Sequence, residues 1–232
     1  MSLLESLLAS PVPWLIATFA AFEAGNWAFR KLGEPVWAPP LLIALALLIG
    51  GLLVTGTDYQ TYFQGNALLH FMLGPATVAL AVPLYHALPR LLAAFTPLTG
   101  TLLAGSALGG LGAMGLALAF GLSADSVLAF GTRAVTTPIA IGIAEIIHSP
   151  VALAAALVGF SGVLGAALAE PLLKGVQSDV ARGFAMGLAA HGVGTARAFQ
   201  LHPTAGAFAA LGMGLNGILT AFWLPPLLRA LA

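Results

Sequence analysis

Arg133, Thr136, Thr137, Pro138 and Glu145 stand together in RAVTTPIAIGIAEIIHS (133–149), a stretch that is otherwise apolar. Arg is ionised at every ordinary pH and grips a carboxylate through two parallel hydrogen bonds. Two adjacent hydroxyls supply further donors. Pro138 lacks an amide donor and disfavours helix at the residue before it, so a half-helix is expected to begin near Thr137. Such a helix start presents unpaired N–H groups and the positive end of its dipole. Together these features suit a small anion. Glu145 is a candidate for carrying a coupled proton.

A second polar group lies in ARGFAMGLAAHGVGTARAFQL (181–201), with His191, Gly194, Thr195 and Arg197. Arg197 is a second candidate anion partner, and His191 is a second candidate proton carrier. A third is LLHFMLGPATVALAVPLYHAL (68–88), where Gly74-Pro75 suggests another broken helix. Structural roles compete with these. Arg133 can pair with Glu145 or Asp125, Arg197 can snorkel to the interface beside His202, and His191 can be a hydrogen-bonded interior histidine. His70 and His86 fall near segment ends, and Tyr62 and Asn66 in a polar loop (55–66).

The elements that must position these residues are membrane helices. The 232 residues are 59% hydrophobic and 7% charged, with mean hydropathy +1.00. Soluble domains carry about 25% charged residues, so most of this chain must face lipid. The length allows one transmembrane domain, 1–232, of roughly seven or eight segments at about 20 residues each. Charged or Pro-rich punctuation separates them at about 13–29, 39–56, 67–88, 98–122, 126–147, 151–173, 180–199 and 205–228. The runs are too long and continuous for barrel strands. The expected fold is therefore an all-α polytopic membrane protein with at least one broken or re-entrant helix.

If the fifth segment enters and leaves on one side, every basic loop falls on the cytoplasmic side of the bacterial inner membrane, with seven crossings. The N-terminal residues, with Glu5 and Trp14, read as an interfacial lead-in rather than a signal peptide. GPATVALAV (74–82) and TPIAIGIAE (137–145) resemble each other. Paired interrupted segments of this kind point to an inverted-repeat transporter, with halves at about 39–122 and 123–232.

Several classes are disfavoured. There is no cysteine, and the histidines show no metal-ligand spacing, so no metal or other cofactor is expected. Zero net charge argues against nucleic acid. Ser106 and Ser161 sit in small-residue runs, GSALGGLGAMG (105–115) and GFSGVLGAALA (159–169). Those runs read as helix-packing faces rather than as hydrolase nucleophiles, so an enzyme is not expected. Such faces suit a homo-oligomer.

Five stretches together resemble the LrgB/CidB/YohK family of bacterial membrane proteins: TYFQGN…GPATVALAVPLY (61–85), RAVTTPIA (133–140), GVLGAALAEPLL (162–173), ARGFAMGLAAHGVGTARAF (181–199) and GAFAALGMGLNGILTAFWLPPLL (206–228). The resemblance covers essentially the whole chain. It implies one of two functions. One is antiholin-like or holin-like regulation of murein hydrolase activity and lysis. The other is transport of small monocarboxylates such as glycolate, glycerate or pyruvate, as in a plastid glycolate/glycerate transporter that is similar. It also implies a smaller membrane partner of the LrgA/CidA/YohJ type. The family typically has Lys where Arg133 stands, Ser where Ala134 stands, and Gln before the first-repeat Pro where this chain has Gly74.

Overall fold

The computed structural model describes residues 11–33, 35, 38, 40–79, 81–86 and 88–231. The expected lead-in at residues 1–10, with Glu5, lies outside them. The described residues are helical, without strands. The chain forms two compact units, Met1–Ala79 and Leu80–Ala232.

The first unit holds α1 (Val12–Lys31), α2 (Pro40–Thr55), α3 (Tyr59–Gly65) and α4 (Ala67–Ala79). α1 and α2 cross closely at Gly25, where a Cβ would lie 2.5 Å from the Pro40 carbonyl. Thr18 is the polar node. Its hydroxyl lies 2.8 Å from the Trp14 carbonyl, 2.9 Å from the Tyr62 hydroxyl and 2.9 Å from Asn66 Oδ1. Tyr62 and Asn66 thus tie α1 to the end of α3. Asp58 caps α3 by accepting from the amides of Gln60 and Thr61 and from the Thr61 hydroxyl. The Thr61 hydroxyl first, then the two amides, hold its carboxyl below the usual aspartate value. α4 runs through Gly74 and Pro75 without ending there.

The second unit opens with short helices α5 (Ala81–His86) and α6 (Leu88–Ala93). α7 (Phe95–Ala107) passes through a π turn, Leu108–Gly112, into α8 (Ala113–Ala119). Then come α9 (Ala124–Phe130), α10 (Thr137–Ile146), α11 (Val151–Leu172), α12 (Asp179–Leu201) and α13 (Pro203–Leu231). Among the described residues, three helices are long and apolar enough to cross a bilayer: Phe95–Ala119, Val151–Leu172 and Pro203–Ala230. Pro40–Thr55 and Thr137–Ile146 are apolar but shorter. α12 carries Asp179, Arg182 and Arg197, and its apolar residues gather on one face.

Small residues decide how this unit packs. A Cβ on Gly183 would sit 2.0 Å from the Ala205 carbonyl oxygen, and one on Gly187 1.9 Å from that of Ala209. Backbone therefore meets backbone along α12 and α13, the close approach that small residues at four-residue spacing permit. Phe184, Ala207 and Phe208 fill the adjoining core against Leu98. Gly110 packs on the Trp223 ring and Gly131 on Met114 and Leu224, which seats the α9–α10 connection on α8 and α13.

Gly187→Ala and Gly183→Ala are each expected to lower stability by about 1–3 kcal/mol through overpacking. Gly159→Ala, with nothing within 4 Å of its Cβ position, should raise it by roughly 0.5–1 kcal/mol. Thermal unfolding followed by tryptophan fluorescence in detergent checks both signs.

Candidate functional site

Two helices of the second unit are interrupted, and one side chain touches both interruptions. The first lies between α9 and α10. Residues 131–135 form turns, and Thr136 adopts an extended backbone (φ −74°, ψ 153°) as the N-cap of α10. No side chain caps that helix start. Pro138 occupies the first turn, where its missing amide costs least. Thr132 is fully buried and turns its hydroxyl onto the Ala129 carbonyl at 2.8 Å. Thr136 is half-buried, and Thr137 and Pro138 are exposed.

The second interruption was not foreseen from the sequence. α12 is broken at His191, whose φ of 40° and ψ of −127° are foreign to a helix and strained for any residue with a Cβ. His191 is buried, and its Nε2 donates to the Val158 carbonyl of α11 at 3.0 Å. Gly162 makes the room: a Cβ there would fall 2.4 Å from the imidazole. Thr195 returns its hydroxyl to the His191 carbonyl at 2.8 Å. Gly194 lies so close to the Met186 carbonyl that a Cβ would approach it to 2.4 Å. His191, Gly194 and Thr195 therefore build the break itself.

Asn216 of α13, 1% exposed, joins the two interruptions. Its amide nitrogen donates to the Ala134 carbonyl at 2.8 Å and reaches the Leu188 carbonyl at 3.4 Å. In a regular helix the Gly192 amide would serve Leu188. The torsion at His191 turns that peptide away from the helical direction. The network continues from Asn216 Oδ1 to Thr220 at 3.4 Å, from Thr220 to Ser106 at 3.0 Å, and from Ser106 to the Trp223 indole nitrogen at 2.9 Å. Asn216, Thr220 and Ser106 are buried polar residues in apolar helices, and that context was the signal available for them in the sequence.

The charged candidates occupy different settings. Arg197 pairs with Glu170 of α11 and also donates to Gln200. His202, its neighbour in the chain, lies 3.4 Å from Asp179. Arg133 donates to Ser161 at 3.3 Å. Among the described residues no carboxylate lies within ion-pair distance of Arg133, Glu145 and Asp125 included. Ser161 stands at the midpoint of the 22-residue α11, so the Arg133 guanidinium meets that helix at its middle. Glu145 is exposed near the end of α10. Among the described residues no cluster of three His, Asp or Glu could hold a metal ion.

Arg133 and Ser161 line a groove of about 400 Å³ between α11 and α12. Thr136, Thr137 and Arg197 do not line it. The structure thus brings Arg133 near the His191 break, through Ala189 and Ala190 of the groove wall.

Asn216→Ala is expected to leave the two buried carbonyls unserved, at about 1–3 kcal/mol each. Hydrogen exchange should rise selectively at residues 132–136 and 188–192, with α7 and α11 little affected. Uniform exchange across the unit would contradict a local role.

The model of the LrgB-like family matches residues 18–230. YwbG of Bacillus subtilis is 33% identical over 195 residues, which cover 83% of this chain and 87% of YwbG. The holin-like protein CidB of Staphylococcus epidermidis is 28% identical, with 92% and 94% covered. The antiholin-like protein LrgB of Bacillus subtilis is 29% identical, with 93% and 94% covered. No solved structure matches the chain. Apolar helices and these relatives make it a membrane protein, and a match that runs from the first turns of α1 to the last turn of α13 means that the chain belongs to the LrgB-like family.

Proposed function

We propose that this protein carries small monocarboxylates of the glycolate, glycerate or pyruvate type across the bacterial inner membrane, together with a small LrgA-type partner. The observation that carries the reading is the pair of interrupted helices joined on Asn216 beside an uncompensated Arg133. Irregular backbone at membrane depth is tolerated where protein or a water-filled cavity satisfies it, and transporters use such breaks to build substrate sites. A cation at mid-depth is costly, and its default reading is functional.

In this reading Arg133 neutralises the substrate carboxylate, and the open start of α10, with Thr136 and Thr137, supplies donors during passage. Arg197 spends its charge on Glu170 and braces α11 against α12. α9 and α10 form a re-entrant pair, the remaining segments give about seven crossings, and the basic loops face the cytoplasm. A homo-oligomer and an inverted repeat across the two halves belong to the same proposal.

The names of the relatives support a second reading. CidB is called holin-like and LrgB antiholin-like. A lysis regulator would act through helix contacts, and the Gly-rich faces of α7 and α11 would matter more than the backbone breaks.

Uptake of labelled pyruvate, glycolate and glycerate into proteoliposomes, with and without the LrgA-type partner, separates the two. The carrier reading expects saturable uptake that falls roughly ten- to hundredfold in Arg133→Gln, as loss of a charge-assisted bond would produce. It expects a similar loss in Thr137→Val and a much smaller one in Arg197→Gln. No uptake by folded, inserted protein in either reconstitution favours the regulator.

A further inference from the structure

α12 reverses on itself. A straight helix from Asp179 to His202 would span about 35 Å at the helical rise per residue. Yet His202 Nδ1 lies 3.4 Å from Asp179 Oδ2, and Met186 and Ala198 share one buried cluster. The torsion at His191 is thus a turn between two limbs, 179–190 and 192–201. The first limb runs parallel to α13: Gly183, Gly187 and Leu188 meet Ala205, Ala209 and Asn216 in that order. It runs antiparallel to α11: Met186 clusters with Ala169, Ala190 meets Gly165, and His191 meets Gly162 and Val158. The second limb returns along α11 to the Arg197–Glu170 pair. This hairpin has its mouth at the C-terminal end of α11 and its apex at the middle of that helix.

α9 and α10 form a hairpin of opposite direction. Ala129 and Ala144 cluster with Ala154, near the N-terminal end of α11. Val135 and Ala140 cluster with Val158, and Arg133 reaches Ser161. Both apices therefore meet α11 at 158–162, and Asn216 holds both. Composition agrees. Phe95–Ala119, Val151–Leu172 and Pro203–Ala230 are long and apolar enough to cross a bilayer, and α12, with 23 residues, is not among them. Each of its limbs is about 17 Å long, roughly half of a hydrocarbon core of about 30 Å. Re-entrant backbone is tolerated where protein buries it, and the close contacts at Gly183, Gly187 and Gly194 provide that cover.

We infer that residues 179–201 are a re-entrant hairpin that dips in from the cytoplasmic side, opposed to an α9–α10 hairpin that dips in from the outer side. α12 then replaces one of the crossings counted for the carrier, and α13 ends on the outer side. Charge sets the sidedness. Arg90 donates to Thr204 at 3.1 Å and so joins Lys174, Arg182 and Arg197 at the α12 mouth, whereas Arg229 lies at the far end of α13. Basic residues favour the cytoplasmic side. The inference deepens the carrier reading and rests on it for the use of the hairpins: a solute at Arg133 reaches the cytoplasm past α12 and the exterior past α9 and α10.

The chain has no cysteine, so single-cysteine variants of the full-length protein report sidedness directly. Gln177→Cys, Pro203→Cys and Ala230→Cys, all at exposed positions, are treated with a membrane-impermeant maleimide in spheroplasts and in inside-out vesicles. Reaction of the solubilised protein sets the scale. Positions 177 and 203 should react in vesicles only, and position 230 in spheroplasts only. An α12 that crosses the membrane exchanges the results at 203 and 230 and overturns the inference. Labelling of both 177 and 203 from outside overturns it equally. A second readout is independent of sidedness. In the double variant Asp179→Cys with His202→Cys, a short bifunctional maleimide should link the two positions within one chain, as seen by mass spectrometry. Thiols that each react singly but never become linked overturn the hairpin. Neither readout needs transport. Absence of uptake, which counts against the carrier reading, is thereby distinguished from failure of this inference.

Discussion

The second unit depends on how it settles its backbone hydrogen bonds. Every amide and carbonyl removed from water must find a partner, and in lipid none comes from solvent. A continuous helix meets that demand alone, whereas a broken one does not. This chain breaks two helices and brings a carbonyl from each to one amide nitrogen, that of Asn216. The two interruptions are therefore coupled through a single side chain, which is itself held by Thr220 and, through Ser106, by Trp223. The glycine faces of α12 and α13 belong to the same arrangement. Only backbone-to-backbone contact at Gly183, Gly187 and Gly212 brings α13 near enough for Asn216 to reach across.

The two arginines at issue show how environment assigns roles to like residues. Arg197 lies on α12 opposite Glu170 of α11, and the pair is partly exposed, a setting in which an ion pair adds little stability. Its value is positional, since it links α12 beyond the break to the same helix that holds His191. Arg133 sits opposite a serine at the midpoint of α11. A hydroxyl orients a guanidinium without neutralising it. The unit contains acidic residues that could have balanced this charge, yet Glu145 is exposed near the end of α10 and Glu170 is engaged elsewhere.

Much of this was legible in the sequence, and the limits are physical. The break at Thr136–Pro138 could be read because proline imposes it through its own ring and missing amide, whatever surrounds it. Composition gave the helical membrane class, and each of the eight apolar segments falls on a helix or a helix pair among the described residues. The sixth, for example, is α11, Val151–Leu172. Gly74-Pro75 carries a similar local signal, yet α4 runs through it, which proline allows at a helix start or where packing tolerates a kink. The His191 break was illegible because nothing local demands it. Histidine visits the left-handed well more readily than most residues, but the ψ of −127° at His191 lies outside that well, and the conformation exists only through partners remote in sequence: Val158, Gly162 and Asn216. Ser161 and Ser106 were read as packing residues for the same reason, their partners Arg133 and Trp223 being distant in the chain.

That contrast also separates the two interruptions energetically. The one at Pro138 is covalent in origin, since no rearrangement can supply the missing amide. The one at His191 is conditional. A residue with a Cβ held at such torsions costs about 1–3 kcal/mol and persists only where its surroundings over-determine it. Here the surroundings are the Val158 carbonyl, the space left by Gly162, the Thr195 hydroxyl and the amide of Asn216. The three hydrogen bonds contribute on the order of 1 kcal/mol each, a sum comparable to the strain. Asn216 thus stands between a fixed break and a conditional one. Any movement of α13 that withdrew its amide would leave the first unchanged in form and remove part of what holds the second.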